Sequence, residues 1–540
     1  MSKPTATRRP STDFQPRVRQ DLLRGIDLIV DAVRPTLGPF PRYVGVERTS
    51  RDRAPELLSD AGTLVRRIIQ IGDDAADAGA MLIRQAVWQV GERVGDGSAT
   101  TAVLAQAMLH HACRSVVAGA NAMRVRDGIH MAVAPAIDAI QAQAVPVTTQ
   151  KALAQIARSH CHDAELADML GEIYSIIGMS GYVDVQASSG RTLEREYVEG
   201  AFWRTGWISS VFGGTTMRRA ELQDAALMLV DGRIADVVAV AQVIGRVVEA
   251  GRTSIGIICN GMSDGVIGML AHNHEKGNIR CLPIQAPPSS TDRKYFFDDL
   301  AVMTGGTVLT GDTEVDMSLF SNDMLGKVRR LWADTLQFGI VAGRGSARAL
   351  RAHIAVLRKS IALTSDKGEI DALRKRLGRL MGGTAMLSVG ARTESEQKLR
   401  QAITERSVHF MNSVAESGMV PGGGAAYLNC IDTVNALETD DPDVRAGIAS
   451  VARALEEPMR AIAVNAGEPP VTTVARARRE GPGYGLNVLT GKIEDLRKAG
   501  VVDSANVLVQ ALATAASVAS MVLTTDVVVR RREPATAAEP

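Results

Sequence analysis

Apolar residues recur at helical spacing through Val18, Leu22, Ile26, Ile29, Val30 and Val33, which predicts an amphipathic helix over residues 16–34. Pro35 ends it, and Thr36-Leu37-Gly38-Pro39 reads as a turn. The period returns over residues 76–93 through Met81, Leu82, Ala86 and Val87. Gly95-Asp96-Gly97-Ser98 then interrupts the pattern. Thr100 to Val117 follows, uncharged up to Arg114 and rich in Ala, Leu and Val. A segment apolar on every side is a helix buried nearly all round.

The middle of the chain alternates differently. Short β-rich runs at 182–185, 226–230, 254–259, 282–285 and 307–310 are interleaved with helical patterns at 237–248 and 264–274. Strands alternating with helices predict an α/β unit. Residues 346–380 are Arg- and Lys-rich and read as a solvated helical hairpin. Beyond Gly382-Gly383, a strand at 384–389 leads into a helix at 394–417. Ser504 to Thr525 carries no charge over 22 residues, and a membrane span needs about 20 apolar ones. Eight of the 22 are Ser, Thr, Asn or Gln, so a core helix packed inside protein is expected, and no membrane. Met1 to Asp13 is polar with no apolar signal core, and Arg530 to Pro540 is charged, then Pro- and Ala-rich. Both ends are expected to be disordered. Helical blocks therefore flank an α/β insert. The simplest arrangement joins the two ends into one domain and carries the insert on a stalk of flanking segments, an α+β multidomain fold.

Composition narrows the function. Lys and Arg number 61 against 60 Asp and Glu, a formal charge of +1, which argues against a broadly basic nucleic-acid binder. Aromatics are 4%, poor material for stacking bases. Five scattered cysteines with no C-x-x-C pair suggest reduced, buried thiols in a cytoplasmic protein. His110-His111 and His160/His162 have no partner cluster nearby in sequence, so metal binding by histidine is not expected. Glycine, at 50 of 540, exceeds the usual share of about 7%.

Three glycine-marked turns carry candidate chemistry: Thr36-Leu37-Gly38-Pro39, Gly95-Asp96-Gly97-Ser98-Ala99-Thr100-Thr101 and Pro421-Gly422-Gly423-Gly424. A glycine turn feeding a helix start presents free N–H groups and the positive end of the helix dipole, which suits phosphate. Ser98 and Thr100 add hydroxyl donors. Asp96 would repel phosphate unless a hard cation such as Mg²⁺ bridges the two. Asp and Ser before a helix are also ordinary N-caps, and no Walker A Gly-Lys-Ser/Thr follows.

In combination these turns resemble the group I, GroEL-like chaperonins from about Phe14 to Val529. Ala32-Val33-Arg34-Pro35-Thr36-Leu37-Gly38-Pro39, Gly95-Asp96-Gly97 with Thr101-Ala102-Val103-Leu104-Ala105-Gln106, and Ala118-Gly119-Ala120-Asn121 carry the resemblance. Gly305-Gly306-Thr307-Val308, Gly422-Gly423-Gly424, Tyr484-Gly485-Leu486-Asn487 and Val502-Asp503 follow in order. The resemblance implies three domains: an equatorial ATP-binding domain (1–143 and 417–540), an intermediate hinge domain (144–199 and 385–416) and an apical substrate-binding domain (200–384). Gly200, Gly382 and Gly383 fall at the hinges. Thr36, Leu37, Gly38 and Pro39 would line ATP, Asp96 would hold Mg²⁺, and Gly97, Ser98, Ala99 and Thr100 would embrace the phosphates. Gly423 would lie against ribose and base, Asn487, Val488 and Leu489 against adenine, and Asp503 against the ribose.

Asp60 matches the family's aspartate near the γ-phosphate, but its neighbour Ser59 stands where the family usually has Lys. The larger departure is Arg406, at the position of the family's water-orienting aspartate. Glu405 is adjacent, yet one helical residue turns a side chain by about 100°. An arginine cannot act as a base at neutral pH, so slow or absent hydrolysis is expected, with Arg406 free to pair with phosphates.

Apolar Trp207, Val211, Phe212, Val240, Ala241, Ile244, Val266, Ile267, Leu270 and Ala271 match the apical surface that grips non-native polypeptides and docks a GroES-type co-chaperonin. Spacing alone makes such a stripe core, whereas the resemblance makes it exposed, and exposure is the expectation. A heptameric homo-oligomeric ring, stacked in two, is implied. A divergent, hydrolysis-deficient scaffold subunit in mixed rings is the alternative. A metabolic kinase lacks any small-substrate acid/base set here.

Overall fold

The computed structural model describes residues 11–39, 42–47, 55–147, 149–161, 163–178, 181–188, 190–213, 219–364, 366–381 and 383–530. The chain divides into two units, residues 1–175 with 402–540, and residues 176–401. The expectations for His162, Gly382 and residues 1–10 and 531–540 lie outside the described residues.

The first segment carries α1 (Arg17–Val33), α2 (Ala61–Arg67), α3 (Asp77–Val94), α4 (Ser98–Val117), α5 (Ala122–Ala142), α6 (Gln150–Cys161) and α7 (Ala164–Ile177). The boundaries have local causes. Pro35 cannot donate to a continuing helix, so Arg34–Thr36 tightens into a 3₁₀ turn after α1. Asn121 caps α5, its side-chain oxygen accepting the Met123 N–H. Where α1 crosses α3, a Cβ at Gly25 would sit 1.9 Å from the Ala76 carbonyl oxygen, and one at Gly79 2.1 Å from that of Leu22. The two backbones meet there, and only glycine admits the approach.

Residues 176–401 hold an eight-stranded mixed sheet. Parallel strands Arg280–Gln285, Ser254–Met262, Ala226–Ile234 and Val308–Glu314 form one part. Gly326–Ala333 and Phe338–Gly343 add an antiparallel hairpin that continues to Ala201–Trp203, and Ala220–Gln223 pairs antiparallel with Gly326–Ala333 as the eighth strand. A separate three-stranded sheet has Gly383–Val389 between Tyr182–Ala187 and Leu193–Glu199. The helices here are α8 (Val237–Glu249), α9 (Asp264–Glu275), α10 (Ser290–Thr304), α11 (Ala347–Leu363) and α12 (Lys367–Leu380).

The return segment brings α13 (Glu394–Ser417), α14 (Ala425–Leu428), α15 (Ile431–Asn435), α16 (Pro442–Ala454), α17 (Glu457–Ala466), α18 (Pro470–Glu480) and α19 (Ala505–Leu523). Strand Ser11–Phe14 pairs antiparallel with Val527–Arg530, so the two ends of the chain close one sheet. Helix α19 is long and apolar enough to cross a membrane by composition, but it packs against α3, α4 and α5 with Leu512, Ala515, Ala519 and Val522 fully buried. It is the core helix its small and polar residues suggest. All five cysteines are free and buried; burial pushes the Cys113 thiol up to about 11 and Cys259 to about 12.

Candidate functional site

Two of the three glycine turns meet on α17. The Asn465 side-chain amide donates to the carbonyls of Arg34 (2.9 Å) and Leu37 (2.8 Å), fixing the first turn. Gly38 has φ +107 and faces Ile462, while Gly424 faces Met459. The Thr36 hydroxyl donates to the Val33 carbonyl and is buried, so it belongs to the turn itself.

The second turn is built for close approach. Gly95 (φ +80) ends α3, and Gly97 (φ +83) precedes α4. A Cβ on Gly95 would lie 2.8 Å from the His409 Cβ and 3.1 Å from the Arg406 carbonyl oxygen, so α13 runs directly over this turn. No side chain caps α4, and its first N–H groups have no intrahelical acceptor. Ser98, Ala99 and Thr100 therefore offer backbone donors at the positive end of a 20-residue helix. The Ser98 hydroxyl is not among them: it is buried and donates to the Val87 carbonyl at 3.1 Å. This corrects the expectation of a Ser98 hydroxyl donor. The cause is the tight α3–α4 packing at Gly91, where Ser98 Oγ occupies the space a Cβ would need.

Acids gather at the turn. Asp96 Oδ1 accepts the Gly97 N–H at 2.6 Å, and its Oδ2 lies 3.4 Å from His160 Nδ1. Burial opposes ionisation of Asp96, but His160, the Gly97 N–H and Arg406 outweigh it and hold the carboxyl below its usual range. Asp503, on strand Val502–Ser504, takes the opposite course. Burial and the charge of Asp96 push its carboxyl up to about 7. Two carboxyls that resist joint ionisation are what a bridging cation would relieve. Among the described residues no group of three or more His, Cys, Asp or Glu could hold a metal. A Mg²⁺ ion here would therefore take most of its ligands from phosphate and water, as it commonly does.

Asp60 caps α2, its Oδ2 accepting the Thr63 N–H (2.8 Å) and hydroxyl (2.5 Å). Its Oδ1 is 2.5 Å from Arg406 Nη1, with both side chains about a third exposed. Half-buried Ser59 precedes it and supplies no charge. Helix α13 is seated by the Tyr174 hydroxyl, which donates to Asn412 Oδ1 (2.8 Å), and by Phe410, stacked on His160 at 4.5 Å. The structure thus brings Asp60, Asp96, Arg406 and Asp503 together. It adds His160, which sequence spacing offered only as an isolated histidine.

The third turn holds Gly423 (φ +61) against Leu486 and Leu496. Asn487 is buried, its amide donating to Glu494 (2.7 Å) and its oxygen accepting the Leu489 N–H (3.0 Å). It shapes its own turn, leaving Val488 half-buried and Leu489 exposed.

The apolar stripe in residues 176–401 is mostly core, which corrects the expectation of exposure. Phe212, Val240, Ile244, Val266 and Leu270 are buried in the cluster around the large sheet. The reason is amphipathic packing: α8 and α9 turn these faces onto the strands. Trp207, Ile267 and Ala271 are half-buried and Ala241 is exposed. Val211 is 52% exposed, and Val238, absent from the expected set, is 67% exposed.

Comparison with known proteins identifies the family to which this fold belongs. The sequence profile of the TCP-1/cpn60 chaperonin family matches residues 29–237 and 240–533. The chain belongs to that family, in keeping with its group I resemblance. Two crystal forms of the chaperonin gp146 from the bacteriophage EL 2 (Pseudomonas aeruginosa), both in the presence of ATP-BeFx, share the fold. One superposes with a TM-score of 0.63 at 19% identity, covering 96% of this chain and 99% of that one. The other gives 0.58 at 20%, covering 96% and 98%.

Proposed function

We propose that this chain is an ATP-binding chaperonin subunit that captures non-native polypeptides in a ring cavity and assists their folding with impaired hydrolysis. The ion pair between Arg406 and Asp60 carries the reading. It sets a permanent cation where a water-orienting carboxylate would stand by resemblance, and it occupies the acid nearest the γ-phosphate position. Nucleotide binding is supported by the uncapped start of α4 and by the Asp96–Asp503 pair. The backbone of Gly97, Ser98, Ala99 and Thr100 would hold the phosphates, and Asp96 would hold Mg²⁺. Thr36 to Pro39, Gly423, Val488, Leu489 and Asp503 would surround the remainder of ATP. Gly200 (φ +92) and Gly383, which pairs with Glu199, are adjacent across one strand boundary and fit a hinge between intermediate and apical domains. The equatorial, intermediate and apical division, a stacked pair of heptameric rings and a GroES-type partner complete the proposal. The Arg406–Asp60 pair equally favours a second reading, a hydrolysis-deficient scaffold subunit in mixed rings.

The test is native particle mass together with capture of a chemically unfolded client and its release by ATP. A particle of seven or fourteen chains that captures the client and returns it folded supports the first reading. Capture without refolding supports the second. A monomer that captures nothing overturns both.

A further inference from the structure

Helix α12 lies over strand Tyr182–Ala187, so close that a Cβ on Gly378 would sit 2.3 Å from the Tyr182 Cβ. Lys375 and Arg379, four residues apart, share one face of that helix. Lys375 Nζ is 5.7 Å from the centroid of the Tyr182 ring, and the Arg379 guanidinium is 5.4 Å from that of Trp203. The rings wall the two cations but cannot neutralise them. Arg379 Nε is buried without a hydrogen-bond partner. Among the described residues, neither side chain forms a hydrogen bond or an ion pair.

Other charges nearby do not balance them. Arg204 is paired with Asp184, whose Oδ1 also accepts the Tyr182 hydroxyl at 3.3 Å. Asp299 is fully engaged by Arg376, at 2.9 and 2.8 Å, and by His353 at 2.8 Å. Asp292 is exposed and within electrostatic reach of Lys375 but makes no ion pair with it. Burial, with Arg379 and Arg204 as neighbours, holds the Lys375 amine below its usual range. Lys375 feels the charges of Asp184 and Asp292, and Arg379 those of Asp299 and Asp184, yet neither cation pairs with any of them, while Arg204 takes Asp184.

We propose that Lys375, Arg379 and Arg204 form a binding site for a phosphate-type dianion, either free phosphate or the phosphate of a monoester. Lys375 and Arg379 are the two cations left without an ion pair among the described residues, and a dianion can meet both, whereas a carboxylate matches only one. A guanidinium fork beside an ammonium also suits tetrahedral oxygens. None of these residues belongs to the glycine turns, so the site stands apart from the nucleotide reading.

The experiment is calorimetric titration of orthophosphate into the full-length native protein and a Lys375→Met/Arg379→Met variant. Glycerol 2-phosphate and acetate are titrated in parallel at fixed ionic strength. Saturable dianion binding that weakens at least ten-fold in the variant is expected, with no saturation by acetate. Binding of orthophosphate identifies free phosphate as the ligand, and binding of the glycerol ester alone identifies a monoester. No dianion binding to the native protein, equal binding to both proteins, or acetate bound as tightly as phosphate overturns the assignment. Should the double variant fail to fold, Lys375→Gln, checked by circular dichroism, replaces it: a several-fold loss of affinity supports the site and retained affinity overturns it.

Discussion

Replacing Asp503 with Asn removes a carboxyl whose ionisation the folded chain opposes. Burial and the neighbouring charge of Asp96 raise it from 3.8 to about 7. At ~1.4 kcal/mol per unit, the shift corresponds to at most about 4 kcal/mol. The half-buried position lowers the realised value through solvent screening. The sign follows from the direction. A carboxyl raised on folding contributes stability that is complete below the unfolded value near 4 and is lost as pH rises through about 7. The slope across that window approaches ~1.4 kcal/mol per pH unit. At roughly 2–4 °C per kcal/mol for a domain of 150–250 residues, the native melting midpoint should fall several degrees from pH 5 to 7 relative to Asp503→Asn. Melting midpoints of both proteins across this range provide the measurement. Parallel curves would refute the assignment of a high-pKa carboxyl to Asp503.

Three further outcomes are expected. Asp96→Ala should weaken Mg-dependent ATP binding at least ten-fold in a calorimeter; unchanged affinity would remove the phosphate role of the Gly95–Gly97 turn. Gly79→Ala forces a Cβ to within 2.1 Å of the Leu22 carbonyl oxygen and should cost about 1–3 kcal/mol, as overpacking does, read as a lowered denaturant midpoint. Val240→Ser in the buried face of α8 should destabilise by about 2 kcal/mol, whereas Val238→Ser, 67% exposed, should leave stability nearly unchanged and, if its side chain meets clients, reduce their capture. Equal stability losses would contradict the observed facing of α8.

Much of the fold was legible because periodicity and punctuation coincide. Helix α13 spans Glu394–Ser417, as expected for 394–417. Helix α4 starts at Ser98 where the glycine turn ends. The hairpin Gly326–Ala333/Phe338–Gly343 is hidden in the sequence because Lys327, Arg329 and Arg330 break its apolar signal, although Val328, Leu331 and Trp332 are buried. In the site, the glycine turns and Asp96 stood out by local spacing, whereas Asp60, Arg406 and Asp503 came only through the family resemblance. His160 did not, since its partners Asp96 and Phe410 are distant in sequence. The expected exposure of the apolar stripe in residues 176–401 failed for a physical reason. Helical spacing tells which residues share a face, not whether the sheet or the solvent receives it, and here spacing alone favoured the core that was found. Ser98 shows the same limit for one side chain: a hydroxyl at a helix start suits phosphate, but Gly91 opens a nearer acceptor.

On the proposed reading, Arg406 stands in place of a water-orienting carboxylate and keeps the site loaded but slow. Steady-state phosphate release by the native protein and by Arg406→Asp, with ATP binding measured in both, tests it most directly. Restoring a positioned base is typically worth about 10²–10⁴-fold. Native turnover near background, rising at least ten-fold in Arg406→Asp at similar ATP affinity, is the expected result. Brisk native turnover that Arg406→Asp leaves unchanged would contradict it.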